Sequence, residues 1–446
     1  VTDRTVAFAT LGCRLNQADT YELQASLQAR GFRTVELGQP ADVVVVNTCT
    51  VTARADFSDR QMIHRVVRQH PGARVVVTGC WAQVDPEAVA RVRGVDLVVG
   101  NADKSRLPEL LLTRMAGPTR TAAVSPERHV SDLATLREMS APPPMSLAGR
   151  SRAVVKVQEG CQHRCAFCIV PFARGASRSR APETILEQVT TLVGQGYTEV
   201  ALTGVDLGHY GHDLRPRTSL ASLLERLAPI PGLRWIRLSS ILPAYFTLDL
   251  LAVVTSSGRI APHLHIPLQS GSDRVLRRMR RPYSVAMYRR LVERLADDIP
   301  GLGLGADVMV GFPGETDADF AATRALIEEL PFTYLHVFAY SDRRGTTAVS
   351  LDAHVDALTI RRRSATLRSL AEAKSLAFRR RLVGTTQEVV VLETPAPGGG
   401  PVGLTGNYVE IEFDGPRGLA RRAVRVRVVG AEAGLTRGEL LEALST

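Results

Sequence analysis

Val43-Val44-Val45-Val46-Asn47-Thr48-Cys49 is an unbroken apolar run that ends on two polar residues and a cysteine. Four consecutive β-branched residues with no polar alternate suit a strand buried on both faces, the habit of a parallel sheet covered by helices. Working outward, Val6-Ala7-Phe8-Ala9-Thr10-Leu11 reads as a strand, and Gln17 to Arg30 as an amphipathic helix closed by Gly31. Downstream, Ala53 to Gln69 reads as a helix, Arg74-Val75-Val76-Val77-Thr78 as a strand and Pro86 to Arg93 as a helix. Asp96-Leu97-Val98-Val99-Gly100 reads as a fourth strand. Strands alternating with helices imply an α/β domain over residues 1–121 with an open parallel sheet.

The cysteines follow the same rhythm. Cys13 comes after the first strand, Cys49 after the second and Cys80 after the third, at intervals of 36 and 31 residues. Loops beyond the carboxyl ends of parallel strands share one edge, where ligands usually bind, so the three thiols are expected to meet. Gly12-Cys13, Asn47-Thr48-Cys49 and Gly79-Cys80 supply the small and polar neighbours that permit tight turns. Taken singly, each cysteine reads better as ordinary buried core; it is the three together, with the downstream trio, that point to a cluster.

Residues 122–150 are expected to be a linker, because Ser140-Ala141-Pro142-Pro143-Pro144 stiffens an extended connection. Residues 151–381 again alternate strands with long helical stretches, which fits a full or partial β/α barrel. The candidate strands are Ala153–Val157, Glu199–Thr203, Trp235–Leu238, Leu264–Ile266, Gly305–Val310 and Tyr334–Phe338. Residues 382–446 change character. Runs such as Gln387–Leu392 and Val424–Val429 flank a Pro/Gly cluster at 395–401 and suggest a small all-β barrel.

Cys161-Gln162-His163-Arg164-Cys165-Ala166-Phe167-Cys168 carries the strongest chemical signal. Three thiolates on one short loop can hold three irons of a 4Fe–4S cube and leave the fourth iron open to a cofactor. Zinc is the main competitor, but structural zinc takes four closed ligands. His163 could complete such a set, although it lies within the loop only two residues from Cys161. Gln269 and Ser239 lie just beyond expected strand ends, which makes them either cofactor contacts or turn-stabilising residues. Gly311-Phe312-Pro313-Gly314-Glu315-Thr316 is a strand-to-helix turn that seats an anion or simply caps the following helix.

The C-x3-C-x2-C loop, with Phe167 before its last cysteine, resembles the radical S-adenosylmethionine superfamily. Gly12-Cys13-Arg14-Leu15-Asn16-Gln17, Asn47-Thr48-Cys49-Thr50-Val51 and Thr78-Gly79-Cys80 resemble the three cysteine motifs of its methylthiotransferases. So do Leu202-Thr203-Gly204-Val205-Asp206-Leu207-Gly208, Arg237-Leu238-Ser239-Ser240, His263 to Ser272 and Val310 to Thr316. Thr405-Gly406-Asn407-Tyr408 best matches the family's small RNA-binding, TRAM-like barrel. Gln158-Glu159-Gly160-Cys161 and the 202–208 stretch look most like the branch acting on N6-threonylcarbamoyladenosine at position 37 of transfer RNA.

That resemblance implies two 4Fe–4S clusters, one on Cys161, Cys165 and Cys168 and a sulfur-delivering one on Cys13, Cys49 and Cys80. It also implies S-adenosyl-L-methionine as cofactor, with Phe167, Gly204, Ser239 and Gln269 as contacts. The implied product carries methylthio at carbon 2 of the adenine; sister branches act on N6-isopentenyladenosine or on a ribosomal-protein aspartate. A transfer RNA substrate, an electron donor such as flavodoxin or ferredoxin, and a monomeric enzyme are expected. A non-catalytic iron–sulfur RNA-binding protein is the alternative of another class.

Composition is compatible with this. Hydrophobic residues make up 45% and charged residues 22% of 446, so large cores can form. No run approaches the roughly 20 apolar residues of a membrane helix, and the N-terminal residues lack a secretory pattern, so a cytoplasmic protein without membrane association is expected. A net charge of +10 favours a polyanionic partner. Eight basic residues against one acid between 361 and 381 suit a helix that grips phosphates, or a merely solvated face. From 382 onward six arginines face eight acids, so RNA contact there would be local, around Arg421, Arg422, Arg425 and Arg427.

Overall fold

In a computed structural model, which describes residues 4–115, 126–143, 152–416 and 418–444, the chain divides into two compact units. The first comprises 1–146, 156–180 and 341–349; the second comprises 147–155, 181–340 and 350–446.

Six strands form the sheet of the first unit, in the order Phe32–Thr34, Arg4–Thr10, Val43–Thr48, Arg74–Gly79, Leu97–Val99, Glu127–His129. Every pairing is parallel. The valine run behaves as its composition requires. Val44 and Val46 pack on one face with Ile63, Val66 and Trp81. Val43 and Val45 pack on the other with Leu23, Leu27 and Leu107. Helices Arg14–Gln28 and Ala53–Gln69 provide those covers. Within the stretch expected to be linker, Glu127–His129 is instead a strand paired with Leu97–Val99. Its one-sided polar sequence suits a sheet edge, which is why an apolar pattern does not reveal it. Pro144 and the end of that stretch lie outside the described residues.

The second unit contains two three-stranded sheets. One is ordered Trp235–Leu238, Glu199–Thr203, Ala153–Lys156, and the other His263–His265, Gly303–Val310, Tyr334–Ala339. A parallel bridge between Ile236 and Ile260 and the hydrogen bond from Ile241 N to His265 O (3.0 Å) continue one into the next. The result is the partial β/α barrel expected from the alternation. Strands Thr386–Val391, Val402–Thr405, Glu410–Asp414, Leu435–Ala443 and Ala423–Glu432 close a five-stranded barrel around Val389, Ile411, Phe413, Val424 and Val426. Arg237, fully buried on strand Trp235–Leu238, donates to Gly406 O (2.8 Å) and Thr405 O (3.1 Å) of that barrel while pairing with buried Glu199. No described helix is long and apolar enough to cross a membrane.

Candidate active site

Three adjacent parallel strands deliver the first cysteine triplet. Cys13 is the N-cap of helix Arg14–Gln28, and Cys80 opens helix Cys80–Val84, so both sulfurs sit at helix beginnings. Cys49 follows Val43–Thr48, between them. Glycine makes the approach possible. A Cβ on Gly12 would lie 2.6 Å from the Cys49 Cβ, and Gly79 adopts a φ of 101° with Thr48 and Asn47 against it. Asn16 ties the first two loops together, donating to Leu11 O (2.8 Å) and Thr48 O (2.9 Å).

Burial, with the neighbouring Cys80 and Cys13 acting in the same direction, pushes the Cys49 thiol up to about 12. Three mutually repelling sulfurs are poorly placed as free thiolates and well placed as ligands of a cationic cluster, whose assembly must expel the Cys49 proton. Asp59 accepts the Cys49 amide (2.9 Å), and its buried carboxyl is raised to about 8 by burial. A cavity of about 270 Å³ opens beside Cys49, lined by Gly12, Thr52, Arg54, Ser58 and Asp59.

The second triplet occupies the same compact unit. Its loop is pinned at the base by the antiparallel pair Gln158–Glu159 and Arg178–Ser179 and by Cys161 N to Gly175 O (3.0 Å). His163 N donates to Cys161 Sγ (3.4 Å), and Cys168 N to Cys165 O (3.1 Å). All three cysteines are half-buried, as is Phe167. A zinc ion would draw sulfurs to about 3.8 Å from one another. Among the described residues the one trio of ligand atoms lying within 4.8 Å of one another is His265, Asp307 and His336, so neither triplet has single-ion spacing. The wider spacing suits a cube with one iron per thiolate.

Residues between the triplets connect them. Asn101 Nδ2 approaches Cys80 Sγ (3.7 Å) and donates to Ala173 O (2.7 Å), just beyond the cysteine loop. Arg174 pairs with Asp19 (2.9 Å) and Glu159 (2.6 Å) and donates to Asn16 Oδ1 (2.5 Å). Burial opposes its charge; Asp19, Cys80, Glu159 and Cys13 more than offset that and raise its pKa well above the usual value. Asp19 also binds Lys104 (2.7 Å) and Lys156 (2.6 Å), making a buried ionic knot beneath both loops. Arg343 pairs with Asp56 (2.8 Å) and donates to Thr50 beside Cys49. Local pattern does not announce Asp19, Asn101 or Arg174. Their partners lie tens to more than a hundred residues away.

Gly204, Ser239 and Gln269 belong to the second unit, each beyond the carboxyl end of a strand. Gln269 is buried with φ 64°, a left-handed conformation rare for a side-chain-bearing residue. Ser239 Oγ is buried without a hydrogen-bond partner. The Gly311–Thr316 turn is occupied internally. Glu315 accepts Gly311 N (2.8 Å) and pairs with Arg363 (2.5 Å), while Thr316 and Asp319 form a capping box. The basic run at 361–381 is likewise partly committed. Arg363 is buried in that pair, Lys374 donates to Glu328 O (2.9 Å) and Arg379 to Leu435 O (2.8 Å). On the barrel, Arg421 pairs with Glu393 (2.9 Å) and Arg425 with Glu442 (2.5 Å).

Comparison with known proteins agrees with this geometry. The family model described as Uncharacterized protein family UPF0004 matches residues 5–100, and that of the radical SAM superfamily matches 155–327. The threonylcarbamoyladenosine tRNA methylthiotransferase MtaB of Bacillus subtilis is 36% identical over 96% of this chain and 94% of its own length. The tRNA-2-methylthio-N(6)-dimethylallyladenosine synthase of Moorella thermoacetica is 34% identical over 98% of this chain and 99% of its own. Among solved structures, the radical S-adenosylmethionine methyltransferase TsrM of Kitasatospora setae superposes with a TM-score of 0.57 at 16% identity. That match covers 75% of this chain and 73% of TsrM, a likeness of fold. The protein is a radical SAM enzyme. More narrowly, the chain belongs to the tRNA methylthiotransferase family.

Proposed function

We propose that this enzyme adds a methylthio group to carbon 2 of N6-threonylcarbamoyladenosine at position 37 of transfer RNA. The observation that carries the reading is the gathering of both cysteine triplets in one compact unit, over a single buried ionic knot. Cys161, Cys165 and Cys168 hold the 4Fe–4S cluster that takes S-adenosylmethionine; Cys13, Cys49 and Cys80 hold a second. When bound, these groups supply the electron for sulfonium cleavage and the sulfur and methyl to be transferred.

The chain's own residues do the rest. Gly12 and Gly79 clear space for the thiols, Asp59 fixes the Cys49 amide, and Arg174 sets a positive charge between the two loops. Phe167, Gly204, Ser239 and Gln269 contact the cofactor. Residues 1–121 form the sulfur-carrying domain, 151–381 the catalytic barrel and 382–446 the RNA-gripping barrel, with flavodoxin or ferredoxin as reductant and a monomer in the cytoplasm as the working form.

Anaerobic reconstitution tests the assignment. Cys165→Ala should abolish release of 5′-deoxyadenosine, whereas Cys49→Ala should release it yet make no methylthio product. Full product from Cys49→Ala would remove the sulfur-delivery role. The likeness to dimethylallyladenosine synthases supports N6-isopentenyladenosine as the second reading. Mass spectrometry of transfer RNA nucleosides from a deletion strain separates the two.

A further inference from the structure

His265, Asp307 and His336 come from three neighbouring strands, His263–His265, Gly303–Val310 and Tyr334–Ala339. Parallel pairing sets His265 opposite Gly305, and Asp307 opposite His336. Side chains alternate along a strand, so all three project from one face of the sheet. The geometry there is close. Asp307 Oδ1 lies 3.1 Å from His265 Nε2 and 3.3 Å from His336 Nδ1.

His336 Nδ1 shares a hydrogen bond with Asp307 Oδ1 (3.3 Å), and it is His265 that points to a ligand. His265 is only 7% exposed, and its Nε2, 3.1 Å from Asp307 Oδ1, makes no hydrogen bond among the described residues. The other ring nitrogen, Nδ1, is anchored on the Tyr334 hydroxyl at 3.0 Å. The same hydroxyl lies 2.8 Å from His263 Nε2 and has one proton to give, so an arrangement in which His265 Nδ1 donates to it leaves a lone pair on Nε2. An imidazole held from behind through its second nitrogen is the usual support of a metal-binding histidine. Gly305 permits this, since a Cβ there would overlap the Tyr334 ring.

We propose that His265, Asp307 and His336 bind one divalent transition-metal ion, zinc or ferrous iron, at a site made of none of the six cysteines. Nitrogen and oxygen ligands about 2.0–2.1 Å from such an ion stand about 3 Å apart, as Asp307 Oδ1 does from each imidazole nitrogen, and all three atoms lie within 4.8 Å of one another. Two histidines and one carboxylate on one side leave positions for water or an anionic oxygen ligand.

The test uses the reconstituted holoenzyme, given zinc(II) anaerobically and desalted, with zinc and iron measured by mass spectrometry. The parent should retain about one zinc per chain and Asp307→Asn and His336→Ala about none, all with equal iron. His336 is more than half exposed, so its replacement leaves the core alone, and circular dichroism checks the fold of both variants. Zinc X-ray absorption should report nitrogen and oxygen neighbours. Absence of zinc from the parent, equal retention by the variants, or a sulfur shell would each overturn the site.

Discussion

Asp19→Asn is the sharpest probe of the ionic knot under the two cysteine loops. Asp19 is about 1% exposed; its carboxylate serves Lys104, Lys156 and Arg174, whose side chains are 11%, 8% and 2% exposed. Glu159 and Glu22 share the load for Lys156 and Arg174, but Lys104 has Asp19 alone among the ion pairs of the described residues. Removing one member of a buried ion pair costs about 3–5 kcal/mol, chiefly because the orphaned charge stays buried. With a urea slope of about 1–3 kcal/mol/M, the midpoint should fall by at least about 1 M.

The readout is built in. The chain has two tryptophans, buried Trp81 in the first unit and Trp235 in the second, so Trp235→Phe leaves a reporter of the first unit only. Adding Lys104→Met to Asp19→Asn should recover part of the loss. Burial tends to raise the Asp19 carboxyl, but the three cations hold it well below its usual range. Its contribution is therefore fully present above the unfolded value of about 4 and is lost progressively as pH falls from there through the lower folded value, so parent and variant should converge in strong acid. A midpoint unchanged at neutral pH, or a double variant weaker than the single one, would refute the reasoning.

Three further outcomes follow from the same contacts. Gly79→Ala pushes a Cβ into Thr48 and Asn47 at a φ of 101°; it should cost at least about 2 kcal/mol and lower the iron content of the reconstituted protein towards that of a single cluster. Asp59 has a folded pKa raised to about 8, so its protonated form stabilises the fold at low pH and that stability is lost as pH rises toward 8. Cluster-free parent should weaken by on the order of 2 kcal/mol between pH 6 and 9 relative to Asp59→Asn, measured by urea unfolding. Arg237→Met strips two backbone acceptors at Thr405 and Gly406 and leaves Glu199 buried; hydrogen exchange at Tyr408 and Val409 should accelerate while the strands of the first unit keep their protection.

Much of the fold was legible because burial writes itself into local pattern. Glu199–Thr203, Trp235–Leu238 and Ala53–Gln69 have the bounds their residues suggest, since both-face burial and a 3.6-residue stripe are visible within a few turns of chain. Glu127–His129 was not, because a three-residue edge strand of charged and polar side chains carries no apolar pattern. For the site, strand-end placement of Cys13, Cys49 and Cys80 followed from the alternation alone. Asp19, whose partners Lys104 and Lys156 lie 85 and 137 residues away, belongs to a kind of interaction that no window of sequence contains. The phosphate-gripping reading of 361–381 overcounted for the same reason, because the acid facing Arg363 is on another helix's cap.

The first unit is stitched from three separated stretches of chain, and this bears on how such a protein can be divided or inherited. The segment ending near residue 100, expressed by itself, would keep Asp19 and lose Lys104, Lys156 and Arg174 together. Gene fragments cut at that border should be insoluble, and recombination there should be tolerated only when both parents carry matching charges on either side. The segment up to residue 100 and the cysteine loop at 161–168 are thus a single heritable piece, joined by counter-ions rather than by the peptide between them.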